Sequence, residues 1–323
     1  MMNALETDFE DCELMAISVE TLRASTLLSF DLYLPPQEPR HPVLYRQREH
    51  PIAEVDLRRL IERGVRTLYI AAGDSTAYRE YLRETLLKND DIPPLERYQV
   101  LREATRAMLT EALVKGDQDA AVKITGELSE GMVQAVCDSQ VALGDMLRVM
   151  SYDYSLFTHA INVATNCLLL AGQLGIRDRQ ELLRIGQGGL LHDIGMQGVP
   201  RHIPEKAAKL TDYERRVVQE HPTIGFKELC RREDMTWGQL MMVYGHHERC
   251  DGRGYPVGLV QSEIHEYARL CAIADVYEAI CRDRPYRRAS RRCDALEYLD
   301  RQSGRAFDEE MMRCWMSVVA RQT

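Results

Sequence analysis

His192 is followed directly by Asp193, Ile194 and Gly195, and further along the chain reads His246-His247-Glu248-Arg249-Cys250-Asp251-Gly252-Arg253-Gly254-Tyr255-Pro256. Adjacent histidines, and a histidine beside an aspartate, are rare by chance. With His221 between them, these residues offer neutral imidazole and carboxylate donors, which suit iron, manganese, zinc or nickel. The chemistry such a cluster would do is metal-dependent hydrolysis.

Two further residues extend the set. His159 stands in an apolar helical run, and Asp275 in Cys271-Ala272-Ile273-Ala274-Asp275-Val276-Tyr277. A carboxylate in such a run is costly to bury unless it is paired or bound to metal. Taken singly, His159 and His221 read as core histidines and Asp193 as a helix-end charge. Pro222 marks a local helix distortion beside His221. Together the candidates are His159, His192, Asp193, His221, His246, His247 and Asp275, more than one ion needs; an octahedral pair sharing a carboxylate would use about this number. Two metals about 3.5–4 Å apart would acidify a bridging water and neutralise a phosphodiester during in-line displacement. The chain has no serine or cysteine nucleophile motif. The pairs Asp251-Gly252 and Arg253-Gly254 read as a flexible turn suited to close approach by a ligand.

Every candidate lies in or at the end of an expected helix, and a helix bundle can bring such side chains to one interior point. From residue 151 onward strand signals nearly vanish, so residues 151–323 read as an all-helical domain. Thr211-Asp212-Tyr213-Glu214 and Thr236-Trp237-Gly238-Gln239 have the form of capping boxes ahead of helices. Leu270, Ile273, Ala274, Tyr277 and Ile280 mark another helix. Residues 1–90 read as a small α/β regulatory module, with strands expected over 26–34, 42–46 and 65–70. Leu57, Leu60 and Ile61 form a helical stripe ended by Gly64, and a further helix runs over 78–87. Residues 91–150 are helical throughout and read as a connecting segment, equally consistent with the first helices of the next domain. The fold class is therefore mainly α with a small N-terminal α/β module.

Composition excludes other classes. The chain has 323 residues and a formal net charge of −9, which argues against polymeric nucleic acid as partner, because that binding needs excess Lys and Arg. Nine scattered cysteines show no paired spacing, as expected of reduced thiols in the cytoplasm and not of a disulfide framework. The acidic start lacks the pattern of a signal peptide. The longest apolar run, around Cys167 to Ala171, is far short of a membrane span.

From His159 to Arg287 the strings LLHDIG, HHERCDGRGYP, AIADVYEAI and DRPYR resemble the HD-GYP family of the HD phosphohydrolase superfamily. The resemblance implies an all-helical bundle and a cyclic di-GMP phosphodiesterase giving linear pGpG, in some members GMP. It implies iron or manganese, with other divalent transition metals as further candidates. By the same resemblance His159, His192, Asp193 and Asp275 surround one metal, and Asp193, His221, His246 and His247 the other, with Asp193 bridging. His192 and Asp193 carry the catalytic role. Tyr255, Arg284 and Arg287 contact the substrate.

Two positions depart from the family pattern. Met196 stands where members carry a lysine able to contact phosphate, and Ser155 where members with a third metal carry glutamate. A two-metal site with lowered activity is the resulting expectation; the alternative is a cyclic di-GMP receptor or interaction protein with little or no turnover. His41, His50, His202 and His265 read as surface or loop residues. The helical connection makes a homodimer or a signalling-protein partner plausible.

Overall fold

The computed structural model describes residues 14–35, 42–87, 116–137, 156–206, 208–282 and 290–320, with scattered positions between 92 and 112. The chain divides into two units, Met1–Lys115 and Gly116–Thr323.

In the first unit β1 (Leu14–Ser18), β2 (Leu32–Tyr33), β3 (Leu44–Arg46) and β4 (Thr67–Ala71) form one antiparallel sheet in the order β1-β4-β2-β3. Alternate residues Met15 and Ile17 of β1 and Leu68 and Ile70 of β4 are buried, as the two-residue period of a strand requires. Helices α1 (Glu54–Glu62) and α2 (Ser75–Leu82) complete the unit. Gly64, at φ 76°, follows α1, the left-handed conformation glycine adopts at least cost.

Three expectations need correction. β1 lies in a stretch read only as an acidic start. The strand expected over 26–34 shrinks to Leu32–Tyr33, because Ser25 takes φ 64° and the Thr26 hydroxyl donates to the Arg23 carbonyl, turning the chain. Phe30 is buried by aromatic packing instead, its ring edge-on to Tyr78 and Tyr81 at 5.6 Å from each. The helix expected over 78–87 is α2 followed by a π-type turn, Arg83–Leu87.

The second unit is helical: α3 (Gln118–Cys137), α4 (Leu156–Gln173), α5 (Arg179–Leu191), α6 (Asp212–Gln219), α7 (His221–Leu229), α8 (Trp237–Gly245), α9 (Glu266–Cys281), α10 (Arg292–Arg301) and α11 (Glu309–Ala320). Helix α3 falls inside the expected 91–150 connection, yet it packs on α5 and buries Val122, Leu128 and Met132.

Helix α4 is buried nearly all round and lies between α5, α9 and α11. Its approach to α5 depends on Gly189, where a Cβ would stand 2.7 Å from the Ala164 Cα. The ends of the following helices are set locally. Thr211 and Glu214 form a reciprocal capping box at α6, with N–H···O distances of 2.7 and 3.2 Å. At α8 the Gln239 side chain accepts from the Thr236 N–H at 2.9 Å. Among the described residues no helix is long and apolar enough to cross a membrane.

Candidate metal centre

Each candidate ligand sits where its helix places it. His159 lies in the first turn of α4, a helix that buries Thr158, Asn162, Thr165 and Asn166 along with its apolar residues. His192 ends α5, and Asp193 opens the 3-10 turn Ile194–Gly198. Pro222 stops α6 from running on, so His221 becomes the first residue of α7. This break is the distortion the proline predicts, since its missing N–H is harmless only in a first turn. His246 ends α8, His247 follows it, and Asp275 lies inside α9.

All seven converge. Asp193, His221, His246 and His247 form one group of ligand atoms lying within 4.8 Å of one another, and His159, His192 and Asp275 form another. Asp193 faces both. Its Oδ1 is 3.1 Å from His221 Nε2 and 3.6 Å from His246 Nε2, while Oδ2 is 3.6 Å from His159 Nε2 and 3.5 Å from His192 Nε2. His159 Nε2 also stands 3.2 Å from Asp275 Oδ1.

The imidazoles are aimed by what holds their other nitrogens. Nδ1 of His192 lies 2.8 Å from the Gly189 carbonyl, that of His221 2.7 Å from Val218, and that of His246 2.9 Å from Met242. A carbonyl there requires Nδ1–H, which leaves the Nε2 lone pair facing the cluster.

These groups fit a cation. His192 is fully buried and its Nε2 has no hydrogen-bond partner among the described residues, an arrangement that costs free energy unless a ligand uses the lone pair. Burial pushes His192 down to about 4 and His247 well below the usual imidazole value, so both rings stay neutral. Burial opposes the charge on Asp275, but His159, His247 and His192 outweigh it and hold the carboxyl far below its usual range. Asp193 is likewise held well below its ordinary value, against burial, by His192, His159 and His221. The two carboxylates and the neutral rings of His192 and His247 suit a transition-metal ion, while His159 and His221, held up against burial by the carboxylates beside them, would give up a proton on binding one.

Tyr255 stacks on His247, ring centroids 4.6 Å apart and planes at 24°. The loop carrying it is clamped by a residue that sequence reading passed over. Glu248 is buried and accepts from the backbone N–H of Val257, Gly258 and Leu259 at 2.7–3.1 Å. Its place beside the paired histidines was the available signal. The turn expected to admit a ligand at Gly254 admits the chain itself instead: a Cβ there would lie 2.4 Å from the Arg249 N and 2.6 Å from the His247 carbonyl oxygen. Asp251, also in this turn, pairs with Arg249 at 2.7 Å and bridges to Val260.

Glu278 is the second residue missed. It is fully buried and accepts from His159 Nδ1; its only sequence signal is its position one turn beyond Asp275. His265 caps α9 by accepting from the Tyr267 N–H at 3.1 Å. Arg284, Arg287, Ser155 and His41 lie outside the described residues.

Known proteins resemble this chain in sequence and in fold. Over 179 residues the chain is 37% identical to cyclic di-GMP phosphodiesterase PA4108 of Pseudomonas aeruginosa, covering 55% of this chain and 42% of that one. Over 135 residues it is 39% identical to 3'3'-cGAMP-specific phosphodiesterase 1 of Vibrio cholerae, covering 41% of this chain and 30% of that one. The chain thus spans less than half the length of these relatives. Its fold is that of Bd1817, a HDG"Y"P protein from Bdellovibrio bacteriovorus, with a TM-score of 0.70 over 95% of this chain and all of that one, at 18% identity. The sequence model of the HD domain matches residues 136–311, a span that contains all seven ligand candidates, and the chain therefore belongs to the HD domain family.

Proposed function

We propose that this protein hydrolyses a phosphodiester of cyclic di-GMP to give linear pGpG, using two iron or manganese ions held by the seven residues above. The observation that carries the reading is Asp193, whose two oxygens face different groups of nitrogen donors. His159, His192 and Asp275 would complete one half-site, and His221, His246 and His247 the other. When bound, such a pair of cations supplies an acidified water and neutralises charge on the phosphoryl oxygens. His192 and Asp193 hold the reacting centre rigid at the end of α5. Tyr255, braced on His247, offers an aromatic face to a base or ribose, and Arg284 and Arg287 are assigned to the phosphates.

The relatives' names favour a second substrate within the same class, 3'3'-cGAMP. Both cyclic dinucleotides present the same phosphodiester to the metals and differ in one base, so Tyr255 and its loop would discriminate them. The deciding experiment incubates manganese- or iron-loaded protein with each dinucleotide and resolves linear product from mononucleotide. Cleavage of cyclic di-GMP to pGpG, or on to GMP, is expected; a loaded protein that cleaves neither would refute the assignment.

We assign the first unit a regulatory role and the chain to the cytoplasm. The buried free thiols of Cys167 and Cys271 favour that compartment.

A further inference from the structure

Four of the ligand histidines show what holds Nδ1, and one differs in kind. His192, His221 and His246 each use a backbone carbonyl three or four residues earlier. Any helix or turn carrying a histidine supplies such an acceptor. His159 instead uses the carboxylate of Glu278, 119 residues away on α9. That carboxylate has no exposure to solvent. Its Oε1 accepts from Asn162 Nδ2 at 3.3 Å, and Arg282 Nε stands 3.7 Å from Oε2. A buried carboxylate is stable only with such a full set of partners.

From this juxtaposition we propose that Glu278 is a positioning residue for the metal half-site of His159, His192 and Asp275. It fixes His159 with hydrogen on Nδ1, aims Nε2 at Asp193 and Asp275, and makes this imidazole the strongest nitrogen donor of the cluster. The inference rests on the metal-centre reading above. A full negative charge polarises the N–H further than a carbonyl does, so electron density at Nε2 rises. The effect is local to one half-site. His221, His246 and His247 sit on α7 and at the end of α8, and the Nδ1 atoms of His221 and His246 rest on the Val218 and Met242 carbonyls, not on Glu278. Glu278 therefore acts on the occupancy of one cation and not on both.

The test uses the full chain, Mn²⁺ as probe, and three variants: Glu278→Gln, Glu278→Asp and His159→Ala. Equilibrium dialysis with metal analysis gives stoichiometry and affinity, and electron paramagnetic resonance distinguishes a coupled Mn²⁺ pair from an isolated ion. For the wild type two equivalents are expected. Glu278→Gln should keep one tight equivalent, weaken the other about 10–100-fold, and convert the coupled signal into the six-line signal of a lone ion. Glu278→Asp, which retains charge, should recover part of the loss. His159→Ala should lose the same equivalent, and adding Glu278→Gln to it should cost no further affinity. A merely structural Glu278 would lower the melting temperature while leaving both equivalents at wild-type affinity, and that result would overturn the inference. So would strict additivity with His159→Ala. A wild-type protein that takes up fewer than two equivalents would instead defeat the two-metal reading on which it rests. If Glu278→Gln does not fold, the Glu278→Asp and His159→Ala comparison decides the matter by the same readouts.

Discussion

Asp193 meets His221 through a 3.1 Å contact from Oδ1 to Nε2, which commits one carboxylate oxygen to α7 and leaves the other for α4 and α5. No other residue of the centre is shared in this way between the two groups of donors. Asp193→Ala is therefore expected to abolish binding of both metal equivalents and to lower cyclic dinucleotide hydrolysis by at least about 10²–10³-fold, the scale of losing a preorganised electrostatic group. Metal analysis of the purified variant and single-turnover assays provide the check. Retention of wild-type activity would remove the basis for the shared-carboxylate mechanism.

Tyr255 yields a prediction of opposite character. Its ring touches His247 but supplies no ligand atom. Stacking of this kind contributes about 0.5–1.5 kcal/mol. Tyr255→Ala should raise KM for the cyclic dinucleotide by up to about tenfold with kcat and metal content little changed, and Tyr255→Phe should stay near wild type. A fall in metal stoichiometry in Tyr255→Ala would show that the ring braces His247 and does not meet substrate.

Met196 is half-buried in the turn that begins at Asp193, its N–H 2.9 Å from the Asp193 carbonyl oxygen. A methionine there offers no charge to a phosphate. Met196→Lys should raise turnover, by about tenfold if the ammonium makes one charge-assisted hydrogen bond worth roughly 1.5–3 kcal/mol. Steady-state assays at fixed metal loading measure it. No gain, with full loading, would mean the cations already stabilise the developing charge.

What the sequence made legible divides by range. His192-Asp193 and His246-His247 announce themselves because the ligands are neighbours in the chain, and the place of His221 at the start of α7 follows from Pro222. Asp275 stood out as a carboxylate in an apolar run, and the family resemblance then grouped it with His159 around one metal. Glu278 and Glu248 stayed hidden because their roles are tertiary: one answers a histidine on another helix, the other gathers N–H groups from a loop nine to eleven residues on. The sheet was read less well for a related reason. β1 pairs with β4, a strand distant from it in the chain, and β2 is set by the turn at Ser25 more than by its own pattern.

The Arg249–Asp251 pair sets the pH behaviour of the Gly-Tyr-Pro loop. The Arg249 side chain, aided by the Arg253 backbone N–H, outweighs burial and holds Asp251 at about 2, below its ordinary 3.8. A carboxyl depressed on folding contributes stability that is present above its unfolded value and is lost as pH falls through the folded one. The pair should therefore persist from neutral pH down to about 4 and weaken as pH approaches 2. A nuclear magnetic resonance titration of the Asp251 carboxyl should give a midpoint near 2. Arg249→Ala should move it up toward the ordinary carboxylate value. An unchanged midpoint in that variant would place the cause elsewhere.

Gly195 links the fold to the metal centre most directly. A Cβ at this position would lie 2.1 Å from the His221 carbonyl oxygen, 2.5 Å from the Gly225 N and 3.0 Å from its Cα. All three are backbone atoms of α7, so no side chain can turn aside to make room, and the helix that carries His221 would have to move bodily. Gly195→Ala should cost about 1–3 kcal/mol or more through overpacking. It should also weaken the half-site of His221, His246 and His247, because α7 cannot retreat without withdrawing Nε2 from Asp193. Thermal unfolding together with Mn²⁺ stoichiometry tests both effects. Gly73→Ala, where a Cβ meets nothing within 4 Å, is the control and should be near neutral. If Gly195→Ala lowered stability yet kept full metal affinity, α7 would have room to shift without moving its ligand, and the tight coupling of helix position to cation binding argued for this site would be wrong.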